Sequence, residues 1–238
     1  MQGTKKKVIE ALSKPSRYGP DLDIENYRPA AGMTSLTEEV ASRALDVGIT
    51  EEGRSATYFQ IDSSILEEAV ESAYKGKVEV LGVRKALERY GWLRDYWWKA
   101  VDPTGDKYTA KAYLEAETGY FIRIREGEKV DLPVQSCLYM ASQGARQVVH
   151  NIIVAEPGSE AHLITGCVTG RRVDSGLHIG ISEFYIGEDA HLTFTMLHDW
   201  GRQLHVRPRT GVILESGASF TSNYVLLKPV GSIQTFPI

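Results

Sequence analysis

Two cysteines and six histidines are the groups in this chain best suited to carry sulfur or hold a metal. Cys137 sits in Gln135-Ser136-Cys137-Leu138, and Cys167 follows Gly166. A thiolate is both the nucleophile of sulfur chemistry and a ligand for iron. Packing is the competing reading, because free cysteine is among the most buried residue types. The bare sequence favours packing at both positions. Arg171 and Arg172 would lower the pKa of Cys167 if they turned toward it; otherwise they are solvated turn residues. The histidines, at 150, 162, 178, 191, 198 and 205, all fall in the second half of the chain. None stands in an HxH or HExxH spacing.

A repeat places these groups. Glu126-Gly127-Glu128, Glu156-Pro157-Gly158, Gly187-Glu188-Asp189 and Glu215-Ser216-Gly217 set glycines at 127, 158, 187 and 217, spaced 31, 29 and 30 residues. An alternating run follows each: Val134 to Leu138, Ala161 to Ile164, His191 to Thr195 and Ser219 to Tyr224. A period near 30 with short strands predicts a β-solenoid, each coil stacking on the one before. The glycine is expected where the chain turns with positive φ. Alternation in the third run points Leu192, Phe194 and Met196 inward. His162 and His191 each follow their glycine by four residues, so they are expected to stack on one face. Such a pair is a weak metal site or, more simply, an outer polar ladder. Glu126, Glu156 and Glu215 read as solvated turn carboxylates.

Residues 1–105 read as a helical and mixed region, and 106–238 as the all-β solenoid. Ser35 with Glu38 resembles a capping box, opening a helix through Val40, Ala44 and Leu45 that Gly48 ends. Ser55 to Ile61 is β-rich. Asp62-Ser63-Ser64 is expected to cap a second helix, Ile65 to Tyr74. Val78 to Leu81 suits a short strand and Val83 to Tyr90 a third helix. Leu93 to Val101 reads as an aromatic helix packing Tyr96, Trp97 and Trp98 on the sheet. Pro103-Thr104-Gly105-Asp106 marks the break, and strands are expected from Tyr108 onward.

Composition limits the function. The formal net charge of -4 argues against a nucleic-acid-binding protein. No apolar run approaches the roughly 20 residues that span a bilayer. The basic start, Met1 to Lys7, lacks the apolar region of a secretory signal. Two cysteines make no disulfide framework, so reduced thiols in a cytoplasmic protein are expected. No P-loop, dinucleotide fingerprint or Ser-His-Asp arrangement is present, which predicts a non-enzymatic protein.

Several stretches resemble one family. Asp95-Tyr96-Trp97-Trp98-Lys99, Asp106-Lys107-Tyr108-Thr109 and Gly119-Tyr120-Phe121-Ile122 resemble the approach to the β-helix in SufB/SufD proteins. Lys129 to Gln135 is similar to their V-x-x-P-x-Q strand, and Val154 to Cys167 to the stretch ending in Gly-Cys. Leu177-His178 and His198-Asp199-Trp200 match the family's LH and Q-N-W positions. The resemblance covers roughly 92–238 well and the first 90 residues weakly. It implies a right-handed parallel β-helix serving as a scaffold for a nascent iron–sulfur cluster. It makes Cys167 the sulfur acceptor or cluster ligand and draws in His178 and His198, as ligands or strand-locking hydrogen bonders. Cys137 is a lesser candidate, matched by its strand and not by a cysteine. The implied partners are a SufC-like ABC ATPase, which would supply any ATP hydrolysis, and a second SufB/SufD-like subunit, as a homodimer. The ATPase-binding domain and a second key cysteine would fall beyond Ile238, so the chain is expected to be shortened. Flavin use rests on the resemblance alone. The alternatives are a β-helix enzyme acting on acidic polysaccharide, through groups such as Asp174, Glu183 and Glu188, or a purely structural solenoid.

Overall fold

Each recurring phrase becomes a corner of a coil. The computed structural model describes residues 2–16, 19–32 and 35–237; Met1 and Ile238, discussed above, lie outside them. Gly127, Gly158 and Gly217 take φ near 70°, and at the third corner Asp189 takes φ 54°. The corners stack through their backbones. Gly127 N–H donates to Pro157 O (2.9 Å), Gly158 N–H to Glu188 O (2.8 Å) and Asp189 N–H to Ser216 O (2.9 Å). The true corner column is therefore 127, 158, 189 and 217, not 187. A short polar side chain lets aspartate adopt this left-handed conformation. Gly187 answers a different demand: a β-carbon there would lie 2.7 Å from Pro157 N. A β-carbon at Gly158 would make only ordinary contact with Gly127 Cα at 3.8 Å, so Gly158→Ala is expected to cost only the left-handed strain, about 1–2 kcal/mol, read as a lower urea midpoint.

In chain order the elements are α1 (Gln2–Ala11), β1 (Arg28–Pro29), α2 (Glu38–Leu45), β2 (Ala56–Ile61), β3 (Ser64–Val70), β4 (Val78–Gly82), α3 (Val83–Arg89) and α4 (Lys107–Glu115). There follow β5 (Tyr120–Ile124), β6 (Val134–Met140), β7 (Ala145–Ala155), β8 (Glu160–Thr169), β9 (Ser175–Ile186) and β10 (His191–Asp199). The last are β11 (Gln203–Leu214), β12 (Ser219–Leu226), β13 (Ser232–Ile233) and β14 (Phe236–Pro237). Odd and even strands of the repeat separate into two sheets. One runs β13-β11-β9-β7-β5-β4, with β1 on β7 and β14 on β11; the other runs β12-β10-β8-β6-β2-β3. From β5 to β11 and β6 to β12 every pairing is parallel and without slippage, which makes the solenoid a parallel β-helix. Its first strands are flanked by antiparallel ones, β3 on β2 and β4 on β5. Thus the segment before residue 105 contributes to both sheets.

Inward side chains form one core. Tyr58, Leu138, Leu163, Phe184, Leu192, Phe194 and Met196 lie in it, as alternation along β10 predicts. Helix α2 seals the outer face of β6 and β8, with Val40 and Ala44 against Phe59 and Val168. On the opposite sheet, α3 and residues 91–100 cover Phe121, Ile152 and Tyr185.

Four local expectations change. Helix α2 is capped by Thr37, whose hydroxyl accepts from Val40 N–H at 3.3 Å, and Leu45 is exposed. Asp62 caps no helix. It and Ser63 form the two-residue loop between β2 and β3, and its carboxylate accepts from Ala141 N–H and Ser142 Oγ. Strand β3 and a 3-10 turn over Ser72–Tyr74 thus replace the expected helix over 65–74. Residues 91–95 are one 3-10 turn, not part of a longer helix, although Tyr96 and Trp97 do pack on the sheet. Tyr108 opens no strand. Asp106 accepts from Tyr108 N–H and Thr109 N–H in a capping box that starts α4.

Candidate functional site: a polar cluster inside the coils

Much of the interior is apolar, but two adjacent levels are not. Cys167 pairs across the ladder with Leu138 on one side and His198 on the other, and His198 pairs with Leu226. These four stand in one column, the first three buried and Leu226 exposed on the last coil. Cys167 and His198 are 31 residues apart, one coil. The facing sheet contributes His178, in register with Gln147, again 31 residues earlier. Trp200, just past β10, stands between the two imidazoles, its ring 5.1 Å from that of His178 and 5.5 Å from that of His198. Indole Nε1–H donates to His198 Nδ1 at 2.6 Å, and Tyr224 Oη lies 3.1 Å from the same nitrogen. Gln147 donates its amide to the carbonyls of Asp62 and Tyr139, which turns Oε1 toward His178 Nδ1, 2.9 Å away. One level down, Thr165 Oγ1 joins Ser136 Oγ (2.6 Å) and Tyr120 Oη (3.1 Å).

Burial sets the charge states. It pushes the His178 pKa down to about 4. It also holds that of His198 well below the usual imidazole range, with His178 adding to the effect. The Cys167 thiol is pushed up by burial, and no cation offsets it. The charge of a Cys167 thiolate would in turn raise both Tyr120 and Tyr224, on top of their own burial. At rest the cluster is a thiol among neutral imidazoles.

Arg171 and Arg172 do not change this. Both are exposed, and Arg171 faces α2, where its guanidinium meets Ser42 Oγ. Cys137 is buried on the other face of the same sheet, opposite Gly166 and among Val40, Ala44, Val47 and Ile49. Burial, then the charge of Cys167, pushes its pKa up. Gly166 permits this close cover, since a β-carbon there would lie 2.6 Å from Val47 Cγ2 and 3.0 Å from Val47 O.

His162 and His191 do not stack on one another. Because Asp189 takes the third corner, His191 falls opposite Glu160, and His162 opposite Thr193. Their rings instead bond Thr195 Oγ1 (2.9 Å) and Ser219 Oγ (2.7 Å). His205 is bonded to Ser232 Oγ at 2.8 Å. Among the described residues no group of three or more His, Cys, Asp or Glu is arranged around a metal position. Glu156 is half-buried and paired with Arg123, while Glu126 and Glu215 are exposed. Glu183 is fully buried. It accepts from Trp98 N–H, Ala100 N–H and Val101 N–H, and it meets His150 Nε2 at 2.7 Å. That carboxylate is committed to holding the aromatic segment. Asp174 accepts the Arg202 N–H in a turn.

Tyr224 and Gln147 are neighbours of the cluster that motif reading did not single out, whereas Trp200 entered it only as the last residue of His198-Asp199-Trp200. The one-coil spacing would have found Gln147 from His178. Residues 138–233 match the family described as the SUF system FeS cluster assembly, SufBD core domain. The chain is 42% identical over 251 residues to an iron–sulfur cluster assembly SufBD family protein of Methanothermobacter thermautotrophicus (strain Winter), covering 100% of this chain and 60% of that protein. The chain belongs to the SufBD family. A SufBD family protein of Archaeoglobus fulgidus is 44% identical over 197 residues, 82% of this chain and 52% of that relative. The iron–sulfur cluster assembly protein SufB of Bacillus subtilis is 22% identical over 127 residues, 53% of this chain and 27% of its own. This SufBD chain therefore spans 60% of the Methanothermobacter relative and 52% of the Archaeoglobus relative. The polar cluster lies within the matched core domain. No helix among the described residues is long and apolar enough to cross a membrane.

Proposed function

We propose that this SufBD chain is part of a non-enzymatic, cytoplasmic scaffold for iron–sulfur cluster assembly, in which Cys167 receives sulfur or ligates the nascent cluster. The observation that carries the reading is the pairing of Cys167 with His198, a buried thiol and a buried imidazole at one register position of adjacent coils. A buried polar cluster costs stability that a purely structural coil would avoid with leucine. Cys167 alone falls short of the four ligands a cluster takes, so further ligands would come from other coils or a second subunit. The family reading supplies the partners: an ABC ATPase of the SufC type and a second SufB/SufD-like subunit, here a second copy. Glu183, the most buried acidic candidate for sugar chemistry, has no free oxygen to offer.

The test is to co-purify the protein with a SufC-type ATPase, reconstitute it anaerobically with Fe²⁺ and sulfide, and record the thiolate-to-iron absorbance. A stable complex with a cluster band is expected, and Cys167→Ser is expected to lose most of that band. A band unchanged by the substitution would remove Cys167 from the site. Neither complex nor cluster would overturn the scaffold reading.

A further inference from the structure

His198 Nε2 is sealed inside the protein and has no partner, while the residue is 1% exposed. Its tautomer is fixed by its neighbours. An indole nitrogen can only donate, so the 2.6 Å contact from Trp200 Nε1 requires a lone pair on His198 Nδ1. Tyr224 Oη approaches the same lone pair. A neutral imidazole so held carries its proton on Nε2. The result is an N–H donor pointing into the interior with nothing to receive it. Cys167, its register partner on the adjacent strand, has no cation beside it. Buried donors without acceptors are rare, and they mark places where an acceptor belongs.

We propose that His198 is a positioning residue whose Nε2–H holds an anionic sulfur at Cys167, the terminal sulfur of a cysteine persulfide. The proposal rests on Cys167 being the sulfur acceptor. With a low-molecular-weight persulfide as donor, the Cys167 sulfur attacks the donor's outer sulfur. A new S–S bond forms at Cys167, the donor's S–S bond breaks, and the donor leaves as its thiol with the Cys167 proton. While the coils are still parted to admit the donor, the bound persulfide loses its remaining proton to solvent, and on closure its outer sulfur accepts from His198 Nε2–H. A charge-assisted bond of this kind is about twice as strong as a neutral one. His198 therefore acts as a donor only; Trp200 prevents it from serving as the base. His178 is oriented the other way, since Gln147 Oε1 draws its proton to Nδ1.

Two measurements test this on the whole chain. In the first, protein loaded with glutathione persulfide is followed by the mass of the Cys167 peptide. His198→Leu is expected to lose the added sulfur about tenfold faster than wild type, while His198→Gln, whose amide keeps a donor, stays within about threefold. Equal lifetimes in wild type and His198→Leu would overturn the proposal. In the second, ¹⁵N histidine spectra of Cys167→Ser are titrated with hydrosulfide. A protonated Nε2 that moves downfield with hydrosulfide is expected. A protonated Nδ1, or an Nε2 signal indifferent to hydrosulfide, would overturn it. If wild type takes no sulfur at Cys167, the acceptor reading fails by itself, and the spectra still decide the donor.

Discussion

Glu183→Leu should lower stability by about 3–5 kcal/mol, the loss usual when one partner of a buried polar set is removed. The carboxylate is fully buried on the outer face of β9 and satisfies three backbone donors, from Trp98 (2.9 Å), Ala100 (2.7 Å) and Val101 (3.0 Å). Leucine has similar bulk but accepts nothing, so three N–H groups and His150 Nε2 would be stranded together. The damage would be local first. Trp97 stacks on His150 at 4.0 Å, and Trp98 lies 4.4 Å from it, so the aromatic segment loses its anchor. Thermal unfolding should fall by roughly 10 °C for a domain of this size. Tryptophan emission should shift to the red before the main transition. Glu183→Gln keeps an acceptor and should cost distinctly less. A Leu variant as stable as wild type would show that the carboxylate does not secure this segment.

Acid should destabilise the protein well above the range where carboxylates titrate. Burial holds His178 at about 4 against 6.5 for the free side chain, so between those values the unfolded chain binds a proton that the folded chain refuses. Stability therefore falls as pH drops below about 6.5, and near pH 4.5 His178 alone accounts for about 3 kcal/mol. His198 and His150, also lowered by burial, act with the same sign. Above pH 7 the histidines contribute no slope. Urea unfolding at pH 7.0, 6.0, 5.0 and 4.5 reads this directly. A flat profile down to pH 5 would mean that the imidazoles are wetter than their surroundings indicate.

Much of the architecture could be read from the chain. The glycine phrase gave the coil length, and the alternating runs after it became β6, β8, β10 and β12. What it did not give was phase within a coil. Glycine identity and left-handed geometry part company at the third corner, where Asp189 turns and Gly187 only makes room for Pro157. Two residues of phase were enough to pair His191 with Glu160 instead of His162. Asp62 and Asp106 show the same ambiguity in reverse. Each is an aspartate that satisfies nearby N–H groups, yet one closes a hairpin and the other opens a helix, and only their three-dimensional neighbours distinguish them. At the site, Cys167, His178 and His198 were legible through the resemblance. The hydrogen bond that fixes His198 was not, because no spacing rule reports which atom of a tryptophan meets which atom of a histidine.

The two cysteines occupy neighbouring strands of one sheet, yet they face away from each other, Cys167 into the coil and Cys137 under α2. The sheet between them works as a partition. An oxidant or alkylating reagent reaches Cys137 only when α2 lifts, and reaches Cys167 only when the stack of coils parts. Their modification rates are thus separate clocks for two different openings of one molecule. Oxidation cannot join the pair in the folded state.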